Sequence, residues 1–315
     1  MPMTAAAEKK LSSKRSAGLN YFRRMKYLYL LLIPAIVYYI VFKYVPMYGV
    51  IIAFKDFNFA KGIMGSAWIG FENFRYLFGL DNFYLVFFNS IYLSFLRLFW
   101  GFPIPIVLAL LLNEMRSLRY KKVLQTVVYL PHFISWVVLG GIIINFLSPT
   151  WGVVNYIIKS LGGDPVFFMG KVEYFRRIVV ISDIWKGAGW GTIIYLAAIT
   201  GISPELYEAA FVDGANKFQR LWYITLPCIR TTIVLCLILR MGGIMSNGFE
   251  QIFILQNNQN LNVSEVFETW TYRLGLLNGR FSFATTVGLF TSVVSLIFLI
   301  AADLTAKKLG EEGIF

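Results

Sequence analysis

Long apolar runs separated by short charged stretches dominate the chain. Crossing ~30 Å of hydrocarbon takes about 20 apolar residues at ~1.5 Å each. Six runs approach that length: 28–50, 84–112, 123–148, 177–200, 222–247 and 282–304. The pattern predicts an all-α integral membrane protein with six transmembrane helices. The last run is the cleanest, because Phe281 to Ala302 holds no charged residue. The first is interrupted by Pro34, Lys43 and Pro46. Val123 to Ile158 also lacks Lys, Arg, Asp and Glu, but Ser148-Pro149-Thr150 is expected to end the third helix and leave the rest at the outer surface. Phe102-Pro103-Ile104-Pro105 is expected to kink the second helix.

The polar segments orient these spans. With both termini inside, segments 1–27, 113–122, 201–230 and the tail from 305 hold 16 basic residues, against 9 in the outer loops. That bias predicts an N-in, C-in protein. The chain divides into a basic cytoplasmic tail (1–27), a transmembrane domain (28–304) and a cytoplasmic tail (305–315). The first tail, "KKLSSKRSAGLNYFRRMK", supplies much of the net charge of +12. Beside a first span it reads as a topology signal touching anionic membrane lipid, with no role in nucleic-acid binding. The apolar run after it is long and lacks a small-residue cleavage site, unlike a cleaved secretory signal. At 57% hydrophobic and 15% charged residues over 315 positions, one soluble domain is excluded.

Candidate chemistry is sparse. Cys228 and Cys236 lie ~12 Å apart along one expected helix, beyond disulfide reach. His132, the one histidine, has no nearby Cys or acid with which to build a metal site and suits packing or a helix end. No G-x-x-x-x-G-K-[ST], G-x-S-x-G or H-E-x-x-H occurs. The chain is therefore expected to bind no cofactor or metal, to hold no catalytic residue, and not to hydrolyse ATP itself.

One polar stretch stands out, "YEAAFVDGANKFQRLWYITLP", from Tyr207 to Pro227. Ser203-Pro204-Glu205 supplies a cap, a proline at the first helical position and an acid in the first turn, so a helix should start there. Gly214 suits its exit, and Leu226-Pro227 should kink or restart the chain. A short helix carrying Ala209 and Ala210 would then lie across the inner ends of spans four and five. Glu208-Ala209-Ala210, Asp213-Gly214-Ala215, Ile224 and Leu226-Pro227 resemble the EAA loop of permease subunits in type I ABC importers, matching at nine positions. "LIPAIVYYIVFKYVPMYGVIIAF", "WIGFENF", "DIWKGAGWGTIIYLAAITGISPELYEAA" and "GFEQIFILQN" resemble the oligosaccharide and polysaccharide branch, related to alginate and rhamnogalacturonan uptake. The resemblance covers about residues 28–305.

It implies that loop 201–227 is a coupling helix docking on a separate ATPase, with Glu205, Tyr207, Glu208, Ala209, Ala210, Asp213, Gly214, Ala215, Leu226 and Pro227 at the contact. It further implies a second permease, usually non-identical, two cytoplasmic ATPase subunits that bind ATP and Mg, and an extracytoplasmic solute-binding protein. The cargo would be an oligosaccharide or polysaccharide, and the location a bacterial cell (inner) membrane.

Ionisable residues at membrane depth are candidates for a pathway. Asp183, Lys186, Gly187 and Trp190 recur at helical spacing on span four, as do Arg240, Gly243 and Asn247 on span five. Lys186 and Arg240 fall ~22 Å and ~20 Å from the inner ends. These faces are expected to line a translocation cavity. In the opposing reading Asp183 pairs with Lys186, while Arg97 and Arg240 snorkel or hold an interface. Gly187 and Gly191 form a G-x-x-x-G suited to close packing. Trp68, Phe71, Phe74 and Tyr76 fit an interfacial belt or a docking surface for an external binding protein. A gradient-driven secondary transporter or channel would explain the spans but not the coupling-type loop; an intramembrane enzyme would need a denser group of acids or histidines.

Overall fold

The computed structural model describes residues 25–311 and 313–315, so most of the basic tail lies outside the described residues. Among the described residues three helical segments are long and apolar enough to cross a membrane: Lys26–Phe54, Asp81–Asn113 and Phe281–Lys308. In hydrocarbon only intra-helical bonding satisfies every peptide group, so these apolar runs are helical from end to end. The first begins as α1 (Lys26–Tyr39), none of whose residues is buried. The second is built from α2 (Asp81–Leu96) and α3 (Pro103–Asn113). Among the described residues there is also one short antiparallel pair, Lys55–Asp56 with Ala67–Trp68, after the first long helical segment.

Prolines leave a regular mark. The helices widen into π turns at Ile40–Tyr44, Arg97–Gly101 and Leu221–Thr225, and each turn ends two residues before a proline: Pro46, Pro103 and Pro227. A proline cannot donate to the carbonyl four residues back, and its ring collides with that carbonyl. Here that carbonyl belongs to Phe42, Phe99 or Tyr223, the middle residue of the π turn. Opening the turn gives the ring clearance while keeping the helix continuous.

Two expected spans are broken instead. Span three is two helices, α4 (Leu118–Tyr129, continued by the 3₁₀ turn Leu130–Phe133) and α5 (Trp136–Phe146), bent by 97°. Pro131 lacks a donor, Ile134 and Ser135 are extended, and the Ser135 hydroxyl accepts from Val138 N at 3.3 Å to start a new helix. His132 sits at that corner. Span five bends by 58° at Ile229, where a new helix begins at Arg230 and stops at Gly242. Arg240, Gly243 and Asn247 therefore do not share a helical face as the spacing suggested. Each bent pair passes the apolar test only when taken together, giving up to five candidate spans.

The continuous helix α6 (Val172–Thr200) has 29 residues and runs through the centre of the fold. Gly189 lies so close to the Val128 carbonyl that a Cβ would overlap it, and Gly191 faces the Pro105 ring. Gly187 has open space around it, so Gly189 and Gly191 do the close packing expected of Gly187 and Gly191. Apolar clusters fill three levels. Leu93, Phe175, Val179 and Ile252 form one, and Phe83, Phe267, Trp270 and Phe283 another. Ala109, Tyr195, Ile199 and Ile229 form the third, beside the inner loop. The chain's last segment folds back onto the start of span five, where Arg230 Nε pairs with Glu311 at 2.6 Å.

Substituting Gly189→Val should cost about 3 kcal/mol, because the side chain must displace backbone, whereas Gly187→Ala should be tolerated. Melting of the detergent-purified variants, followed by tryptophan fluorescence, checks both.

Candidate functional site

The segment after α6 builds a short, exposed helix, α7 (Pro204–Val212). Pro204 occupies its first position as expected, but Ser203 makes no side-chain cap bond. The exit is a Schellman turn: Gly214 takes φ 78°, its N–H donates to Phe211 O at 3.1 Å, and Ala215 N donates to Ala210 O at 2.8 Å. That left-handed step is what glycine supplies without strain. Asn216 and Gln219 then form a reciprocal capping box over Lys217–Arg220, and the chain runs through the π turn to Leu226 and Pro227. Tyr207 Oη bonds Thr225 Oγ1 at 2.9 Å, tying α7 to the base of span five.

Across this loop Glu205, Glu208, Ala209, Asp213 and Gly214 are exposed, while Ala210, Ala215 and Leu226 are half-buried. Phe211 and Val212 are 72% and 84% exposed. A fixed helix presenting acids, small residues and uncovered apolar side chains together suits a protein partner.

Deeper in the fold lies a polar cavity of 380 Å³ lined by Ser94, Arg97, Asp183, Arg240, Gly243 and Ser246, among others. Four elements converge there: the end of α2 with its π turn, α6, α8 (Arg230–Gly242), and the loop that follows α8. Asp183 Oδ2 lies 4.0 Å from Arg97 Nε and 3.9 Å from Arg240. Arg97 is 7% exposed and donates to Gln251, whose Nε2 reaches Val179 O and Ser182 Oγ at 2.8 Å each. Ser94 donates to the Ile244 carbonyl and lies 3.1 Å from Asn247 Oδ1, so the loop is pinned against α2. Gly248 makes the approach possible: it takes φ 73°, and a Cβ there would stand 3.3 Å from Arg97 Nη1. A second cavity of 260 Å³ continues inward, sharing Asp183 and Arg240 and adding Gly187, Tyr195 and Cys236.

Of the residues expected along the pathway, the fold brings Asp183 and Arg240 to the cavity wall, whereas Asn247 is buried beside Ser94 and lines neither cavity. Lys186 and Trp190 are elsewhere. Lys186 Nζ donates to the His132 carbonyl at 2.7 Å and lies over the Trp136 ring, while Trp190 stacks on the His132 ring with centroids 4.5 Å apart. The corner in span three offers a free carbonyl and aromatic faces, and the long Lys186 side chain takes them, so Asp183 pairs with two arginines and not with Lys186. Sequence reasoning underrated Arg97, whose position inside an apolar run was the available signal. Gln251 and Ser94 carried no comparable mark. Among the described residues no group of three His, Cys, Asp or Glu stands close enough to hold a metal.

A family model described as "Binding-protein-dependent transport system inner membrane component" matches residues 88–311. The chain is 45% identical over 293 residues to Protein LplB of Bacillus subtilis (strain 168), covering 93% of this chain and 92% of that protein. It is also 45% identical over 302 residues to the Polygalacturonan/rhamnogalacturonan transport system permease protein YteP of the same organism, covering 96% and 94%. A chain in the crystal structure of a bacterial alginate ABC transporter, in complex with an alginate pentasaccharide-bound periplasmic protein, is similar with a TM-score of 0.85 and 42% identity, covering 94% of this chain and 99% of that one.

Gly248→Ala should lower stability by about 1–2 kcal/mol, since it combines a left-handed backbone with crowding of Arg97. Gly243→Ala, at φ −100° with its nearest neighbour 3.7 Å away, should change it by less than about 0.5 kcal/mol. Thermal unfolding of the two variants in detergent makes the comparison.

Proposed function

The chain belongs to the binding-protein-dependent transport system inner membrane component family, and from that premise we propose how this membrane permease subunit, served by a separate ATPase, moves its cargo. The cargo is an oligosaccharide or polysaccharide, the class named for the relatives above. The observation that carries the mechanism is α7: a rigid exposed helix between two membrane segments, with the nine-position EAA pattern and Gly214 at its left-handed exit.

The six-span reading remains the one we favour, N-in and C-in over residues 28–304 in the inner membrane of a bacterium. It takes the three long apolar helices, the two bent pairs and α6, whose 29 residues extend ~43 Å. A broken span is tolerated at membrane depth where it is buried in protein or lines a cavity. The basic N-terminal tail and the short C-terminal tail flank the domain on the cytoplasmic side, and the basic one meets anionic lipid.

In this mechanism α7 sits in a cleft of one ATPase subunit, and a second, non-identical permease offers its own coupling helix to the other. ATP and Mg are held by the ATPases and none by this chain. Closure of the ATPases around ATP pushes α7; Tyr207 and Thr225 pass the movement to span five, and the turn at Gly201 passes it to α6. Those two helices carry Arg240 and Asp183, so the polar cavity changes access when the loop moves. An extracytoplasmic binding protein delivers the sugar while the cavity faces outward, and hydrolysis resets it inward.

The test is affinity purification of the tagged protein from native membranes, with mass spectrometry of what is retained, for wild type and Gly214→Asp. The variant adds a carboxylate beside Asp213 and costs about 1 kcal/mol at a left-handed position. Wild type should retain an ATPase and a second permease; the variant should keep the permease and lose the ATPase. An intact complex without any ATPase in either case would favour a gradient-driven transporter.

A further inference from the structure

We propose that Arg97 and Arg240 form a receptor for one carboxylate of the cargo, and that Asp183 holds that place between them until the cargo displaces it. The inference rests on the importer reading; relatives named above serve polygalacturonan/rhamnogalacturonan and alginate, and what it adds is the pair of side chains that would receive a uronate carboxylate, with Asp183 as its stand-in.

Asp183 stands between two guanidinium groups but is hydrogen-bonded to neither. Its separations of 4.0 and 3.9 Å exceed those of a charge-assisted hydrogen bond, about 2.7–2.9 Å. Charge alone holds it there, and its side chain is 26% exposed. Arg97, which lines the cavity, also has its Nε buried without a hydrogen-bond partner. Such a donor costs about 1–3 kcal/mol, a cost that an incoming acceptor recovers.

The nearest other carboxylate is committed elsewhere. Glu268 accepts from Ser246 Oγ at 3.0 Å and from Asn247 N at 3.1 Å, and it opens into the neighbouring groove. Gln251 offers Arg97 one neutral acceptor. Two guanidiniums therefore face the cavity with a single loosely held anion between them. A planar carboxylate can bond a guanidinium through two parallel N–H donors, whereas a sugar hydroxyl cannot replace the charge of Asp183. The 380 Å³ cavity lies in the range of small-molecule sites, about 300–1,000 Å³. Arg240, with its side chain 52% exposed, is the more accessible of the two arginines, and Arg97 is the fixed one.

The test is calorimetric titration of the purified permease–ATPase complex in lipid nanodiscs with trigalacturonate and with its carboxyl-reduced neutral counterpart. Wild type should prefer the acid by about tenfold or more. Asp183→Asn, which removes the resident carboxylate but keeps its shape, should widen that preference by about tenfold. Arg240→Gln should abolish it. Arg97 is left intact, since its burial makes a folding defect the first effect of changing it. Equal binding of the two sugars by wild type, binding of neither, or a preference narrowed by Asp183→Asn would overturn the proposal. If the same complex still imports a sugar on ATP, the permease reading survives that result; if no ATPase joins the chain at all, both fall together.

Discussion

A guanidinium buried between membrane helices sets the terms for the rest of the fold. Removing a charge from water costs several kcal/mol unless partners surround it. Arg97 meets that demand with Asp183 from α6 and Gln251 from the segment beyond Gly248, while Arg240 from α8 is a second cation facing the same acid. The loop after α8 must then pass directly over Arg97, which is why a left-handed glycine stands there. The π turn at Arg97–Gly101, itself a response to Pro103, alters the direction in which Arg97 leaves the helix. Packing, proline chemistry and charge satisfaction meet in one short stretch of span two.

The broken spans follow similar logic. A helix that ends inside the membrane exposes peptide groups, and these need polar partners. Span five ends at Gly242, and Ser94 takes the Ile244 carbonyl while Glu268 takes the Asn247 amide. Span three breaks after Pro131, and Lys186 takes the His132 carbonyl. In each case a polar side chain from a neighbouring helix caps the interruption. At both breaks the freed backbone meets a polar side chain: Ser94 of α2, Lys186 of α6, or Glu268.

How much of this the sequence discloses depends on the kind of interaction. Spans one, two and six are legible because hydrocarbon imposes the same rule on every residue, and apolar length alone meets it. The inner helix is legible for a local reason: Pro204, Gly214 and the Asn216–Gln219 pair fix its start, its exit and the next start within the loop itself. The breaks in spans three and five are not legible from apolar length, because a run of uncharged residues reads alike whether straight or bent. The spacing of Asp183, Lys186 and Trp190 is correctly helical, yet a shared face does not decide partners. Lys186 reaches a carbonyl freed by a break 54 residues earlier in the chain, and Asp183 is claimed by arginines from two other helices. Arg97 was visible as a charge in an apolar run, but its partners come from distant parts of the chain.

The loop and the cavity are joined by α6 and α8, which lie on either side of α7 in the chain and carry Asp183 and Arg240 to the same point. In the proposed mechanism, force applied at the loop opens and closes that point. The most direct test is uptake of labelled oligosaccharide into proteoliposomes containing this chain with its co-purified permease, ATPase and binding protein. Accumulation should require ATP and the binding protein and persist when ion gradients are collapsed. Accumulation driven by a proton or sodium gradient without ATP would contradict it.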